Sequence, residues 1–111
     1  MAVTLGTFIL RDDGSYTGVF RTLNINKAIV IVPVDKTTEN APTHRVYVAG
    51  MRYELGAGWS QVAKSSGETY IGLKLGSPEL GPQWVRCRLV RLEQQAEDGA
   101  THVILWEPRE R

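Results

Sequence analysis

Thr69-Tyr70-Ile71-Gly72-Leu73-Lys74-Leu75 alternates between residues that belong in a core and residues that do not. Successive side chains of a β-strand point to opposite faces, so Ile71, Leu73 and Leu75 share an inward face, and Tyr70, Gly72 and Lys74 an outward one. Trp84 to Leu92 repeats the pattern, with Val85, Cys87 and Leu89 inward and Trp84, Arg86 and Arg88 outward. On the other side, Tyr53 to Val62 reads as the first arm of a hairpin. Its turn is Lys64-Ser65-Ser66-Gly67-Glu68, rich in residues that reverse the chain.

The rest of the chain reads the same way. Val3 to Leu10 and Tyr16 to Leu23 flank Arg11-Asp12-Asp13-Gly14-Ser15, which supplies a glycine tolerant of positive φ and so predicts another hairpin. Ala28 to Val34 is apolar and β-branched, the pattern of a strand buried on both faces. Asp35 to Thr43 is polar and aperiodic, a surface loop leading to a strand at His44 to Ala49. Gly76 to Pro82 holds two prolines and two glycines and is expected to be irregular. His102 to Trp106 pairs back on Trp84 to Leu92 around Glu97-Asp98-Gly99. Leu89 to Glu97 contains good helix formers, but it overlaps a strand pattern and is short for a helix. The expected fold is all-β and mostly antiparallel, a compact barrel or sandwich of six or seven short strands in one domain over residues 1–111, with no internal repeat.

Composition narrows the function classes. At 111 residues with 42% hydrophobic and 23% charged residues, the chain can bury one core and has no disorder signature. The net charge of +1 removes any wholesale drive toward nucleic acid or anionic membrane, so a basic footprint must be local. One cysteine excludes an internal disulfide and fits a reducing cytoplasm. No apolar run approaches the roughly 20 residues that span a bilayer, and Met1 to Leu10 lacks the features of an export signal. Arg21, Lys27, Arg45 and Arg52 make the middle basic, while Glu93, Glu97, Asp98, Glu107 and Glu110 make the end acidic, so a dipolar molecule is expected.

Catalytic chemistry has little to work with. His44 and His102 stand near strand starts without a ligand-spaced partner, Cys87 points into the core, and Asp12 and Asp13 suit a turn better than acid–base work. No glycine-rich phosphate loop is present. No enzyme, no metal and no cofactor are expected. Trp59, following Gly56-Ala57-Gly58, is expected to pack inward, in which case Trp59→Ala would cost roughly 3–5 kcal/mol.

The sharper arrangement joins two strands. If Thr69 to Leu75 neighbours Trp84 to Leu92, one outward face carries Tyr70, Lys74, Trp84, Arg86 and Arg88. Aromatic platforms interleaved with cations hold single-stranded nucleic acid, yet sheets also expose Arg and Lys beside a ring that their stems cover. A second expectation is a protein-interaction module, using a sheet edge or the Asp35 to Thr43 loop on a host or element-encoded partner.

Several motifs in order carry a family resemblance: Gly6-Thr7-Phe8, Tyr16-Thr17-Gly18, Arg21-Thr22-Leu23, Ile31-Val32-Pro33-Val34, Asn40-Ala41-Pro42, Arg45-Val46-Tyr47, Glu54-Leu55-Gly56-Ala57-Gly58-Trp59 and Tyr70-Ile71-Gly72-Leu73-Lys74-Leu75. From about Leu5 to Trp106 the chain resembles domain-of-unknown-function family 736. The Trp84-Val85-Arg86-Cys87-Arg88 strand is more basic than the family's usual look. The resemblance implies a small accessory protein of bacterial mobile elements, active around DNA transfer or host defence, and it assigns no catalytic residue.

Overall fold

The computed structural model describes residues 3–23, 25–51, 53–77 and 83–106. Eight strands follow one another: β1 (Val3–Leu10), β2 (Tyr16–Arg21), β3 (Asn26–Pro33), β4 (His44–Val48), β5 (Glu54–Val62), β6 (Thr69–Leu75), β7 (Val85–Arg91) and β8 (His102–Trp106). Each pairs antiparallel with the next, and β8 returns to β1 to close a barrel. The all-β class read from the sequence is the one found, with eight strands in place of six or seven. They coincide with the eight stretches that read as strands, and closure gives each of them a partner on both sides, so that the sheet has no edge.

As the strand pattern predicts, the Leu89 to Glu97 segment forms no helix: β7 runs on to Arg91, and its pairs Leu89 with Ile104 and Arg91 with His102 outweigh helix propensity. One local expectation changes: the Ala28 to Val34 run is buried on one face only, with Ile29 and Ile31 in the core and Val30 and Val32 half-buried on the outer wall. No helix among the described residues is long and apolar enough to cross a membrane. Pro78 to Pro82, expected to be irregular, lie outside the described residues, as do Arg52, Glu107 and Glu110.

An eight-stranded barrel is just wide enough for its inward side chains to fill it. Phe8, Phe20, Ile29, Ile31, Val46, Leu73, Leu75, Leu89 and Ile104 do so here, all at 3% exposure or less. Phe8 lies directly opposite Gly18, whose missing side chain leaves room for the ring. At the β1–β2 turn Gly14 takes φ +89°, and the Asp13 carboxylate accepts the Ser15 backbone N–H (2.9 Å) and hydroxyl (2.6 Å). The turn role expected of this aspartate is thus the one it has.

Although no repeat is legible in the sequence, the two halves of the barrel correspond. The β1–β8 and β5–β4 ladders both carry a register shift, at Leu5 and at Leu55, each followed by a glycine packed against a carbonyl oxygen of the next strand. Thr43 N–H bonds the Gly58 carbonyl, and Thr101 N–H bonds the Phe8 carbonyl. The same register maps β1–β4 onto β5–β8, with Gly6 on Gly56, Thr43 on Thr101, His44 on His102 and Val46 on Ile104.

Gly56 therefore has a demanding position, since a Cβ there would collide with the Lys74 carbonyl, whereas one on Gly72 would meet only Gln61 at 3.7 Å. Gly56→Ala should lower stability by about 3 kcal/mol, lowering the melting temperature by roughly 10 °C or more. Gly72→Ala should leave the melting temperature within a few degrees, and equal effects in thermal melts would contradict the register.

Candidate nucleic-acid interface

The β6–β7 adjacency expected from the sequence is present, with Lys74 opposite Arg86 and Gly72 opposite Arg88. Ile71, Leu73, Leu75, Cys87 and Leu89 are buried, which leaves Tyr70, Lys74, Trp84, Arg86 and Arg88 on the outer wall. All five predicted residues thus share one surface. Trp84 stays 57% exposed, with its six-membered ring over Gly76, where a Cβ would collide with it. Lys74 Nζ stands 5.2 Å from the Trp84 ring centroid, a cation–π contact. The Tyr70 hydroxyl donates to Gln61 Oε1 at 2.8 Å, which fixes the phenol across the β5–β6 pair.

Trp59 corrects its expectation. It lies opposite Gly72, on the outer wall and not in the core, with its indole N–H donating to the Asn40 carbonyl at 3.1 Å. The bulge is the cause: Val46 pairs with Gly56 and Tyr47 with Glu54, so Leu55 is an extra residue that turns into the core out of phase. Counting alternate positions from Leu55 therefore gives the wrong face for Trp59. The inward positions beyond the bulge are Gly56 and Gly58, opposite Leu75 and Leu73.

Trp59, Gly72 and Arg88 thus form one cross-strand row, flanked by Gln61 and Tyr70 on one side and by Ala57, Lys74 and Arg86 on the other. The bare backbone of Gly72 makes a shallow floor between side chains. None of these outward positions holds a carboxylate. At about 3.3 Å per residue, the wall from Tyr70 to the Trp84 ring over Gly76 spans roughly 20 Å. This surface offers three aromatic rings and three cations with no anion among them.

The expected charge asymmetry is laid out along the barrel axis. Arg21 and Lys27 belong to the end with the β2–β3 turn. Asp12, Asp13, Asp35, Glu39, Glu68, Glu93, Glu97 and Asp98 lie in the connections at the other end and outnumber the Arg11, Lys36 and Lys64 found there. Arg45 sits on the wall beside Glu54, at 3.7 Å.

At the acidic end, closure creates a cluster that sequence spacing could not show. His44 and His102 both approach the Tyr16 ring, with centroids 6.1 Å and 4.8 Å away. Thr43 Oγ1 accepts the Ser60 N–H (2.9 Å) and lies 2.9 Å from His44 Nδ1. Thr101 Oγ1 accepts the Leu10 N–H (3.0 Å) and lies 2.8 Å from His102 Nδ1. Each hydroxyl also donates to a strand carbonyl, Thr43 to Gly58 at 3.4 Å and Thr101 to Phe8 at 3.5 Å, and the ring tautomer sets which partner donates in the contact with Nδ1. Burial holds both imidazoles below their ordinary pKa, with Arg91 adding to the effect at His102, and pushes the Tyr16 phenol up. Among the described residues no group of three or more His, Cys, Asp or Glu side chains could hold a metal ion. Burial pushes the Cys87 thiol up to about 12, which leaves it no thiolate character at neutral pH.

These shifts set a pH dependence. The unfolded chain protonates its histidines around 6.5, while the folded chain resists until lower pH, so the unfolded state binds more protons in between. Their contribution to stability is complete above about 6.5 and should fall as the pH drops below it. Urea unfolding between about pH 7.5 and 5 should show this loss, and His44→Gln with His102→Gln should flatten it. An unchanged slope in the double variant would contradict the histidine origin of the loss.

No curated protein and no solved structure matches the chain. A family model does match, over residues 4–109, and its description is a protein of unknown function. By that match, which covers nearly its whole length, the chain belongs to the DUF736 family.

Proposed function

We propose that the protein is a small accessory binding module that holds single-stranded nucleic acid on the outer wall of β5–β7. The observation that carries this reading is the continuous surface of Trp59, Tyr70 and Trp84 interleaved with Lys74, Arg86 and Arg88 and free of carboxylates. Bases have apolar faces and phosphates are anionic, so such a surface meets both halves of a nucleotide at once. Duplex DNA would shield its base faces from the rings, which favours an unpaired strand. A closed barrel leaves the wall rigid, so little ordering entropy opposes binding. The family setting suggested by the sequence, accessory proteins of mobile elements, fits a role around transferred single strands.

In titrations of a single-stranded oligonucleotide followed by tryptophan fluorescence, Trp84→Ala should weaken binding by about 1–3 kcal/mol, roughly 5- to 150-fold. Each cation that contacts a phosphate steepens the salt dependence by about 0.7 in log–log slope, so Lys74→Ala with Arg86→Ala should reduce it by about 1.4. An affinity unaffected by salt, or untouched by these substitutions, would refute the reading.

A further inference from the structure

At the barrel end opposite the histidines, the core does not fill the mouth. A cavity of about 270 Å³ opens there, lined by Phe20, Ile29, Val48, Met51 and Leu55 with Lys27 at its polar side. The correspondence of the two halves explains it. Extending the same register places Val48 on Trp106, and Trp106 packs against the core, whereas the smaller valine leaves space unfilled.

Apolar side chains collect around this opening. Tyr53 lines it, Met51 lines it at 59% exposure, and Leu23 stands fully exposed in the β2–β3 turn. Lys27 lines the cavity, Arg21 is directly opposite Asn26, another lining residue, and no Asp or Glu lines it among the described residues. The nearby Glu54 is engaged by Arg45.

The geometry points to a second binding site at this end, for an acidic polypeptide segment that inserts one apolar side chain into the cavity. The volume, at the lower edge of the usual range for small-ligand sites, admits a bulky aromatic or branched side chain. The exposed rim of Met51 and Tyr53, with Leu23 exposed in the adjoining β2–β3 turn, is apolar surface that a small ligand would leave wet and a polypeptide would cover. Methionine at the rim adapts to the anchor that enters, and Arg21 and Lys27 select carboxylates flanking that anchor. Barrel closure removes the addition of a strand to a sheet edge, one of the two routes expected from the sequence beside the Asp35 to Thr43 loop. The site opens at the end of the barrel, where the lining Ser77 follows the Gly76 that underlies the Trp84 ring, and it does not rest on the nucleic-acid reading.

Peptide display against the immobilised whole chain supplies the probes. Enriched peptides should carry Asp and Glu around one aromatic or aliphatic residue, and the best of them should shift amide resonances of Phe20, Ile25, Lys27 and Tyr53. Lys27→Glu with Met51→Glu, both at exposed positions, should reduce that peptide's affinity at least tenfold. The melting temperature and the affinity for single-stranded DNA should stay unchanged. Arg86→Ala with Arg88→Ala should leave the peptide's affinity intact, so loss of one binding activity is distinguishable from loss of the other. Failure to enrich, enrichment without acidic bias, shifts confined to Lys74, Arg86 and Arg88, or preferential uptake of a medium-chain fatty acid would each overturn the proposal.

Discussion

Pairing of β1 with β8 is the constraint on which the rest of the molecule depends. It joins the two ends of the chain and removes the last free edges of the sheet. Once the sheet is closed, the inward residue of every strand faces all the others across a space that eight strands leave only wide enough for side chains. The interior is consequently a packed core, in which the Phe8 ring sits over Gly18. Binding must then use the wall or one of the two ends.

Closure also explains which features the sequence made legible. Strand period alone assigns faces within one strand, so Tyr70, Lys74, Trp84, Arg86 and Arg88 were readable as one surface once two neighbouring strands were assumed adjacent. The fold class was readable for the same reason. Trp59 was not, because the bulged Leu55 shifts the phase of β5 and nothing in Glu54-Leu55-Gly56-Ala57-Gly58 announces a bulge. All eight stretches were readable as strands, Val3 to Leu10 and His102 to Trp106 among them, but nothing local in these two says that they pair with each other. The Tyr16, His44 and His102 cluster was hidden by the same long-range contact, since its members come from β2, β4 and β8.

The correspondence of the halves gives these observations a common frame. Thr43–His44 and Thr101–His102 repeat one hydrogen-bonded arrangement at one end. At the other end the halves differ, Val48 against Trp106, and the difference leaves a cavity. Charge divides along the same axis, with carboxylates around the histidines and Arg21 and Lys27 beside the cavity. The β5–β7 wall lies between these ends, and it is there that aromatic rings and cations alternate without anions.

Whether that wall holds a nucleic acid is tested most directly by mapping amide and indole resonances of the isotopically labelled protein during titration with a short single-stranded oligonucleotide. Binding on the wall should perturb the Trp59 and Trp84 indoles and the amides of Tyr70, Gly72, Lys74, Arg86 and Arg88, and leave His44, His102 and the cavity residues in place. Perturbation confined to either barrel end, or none at all, would contradict it.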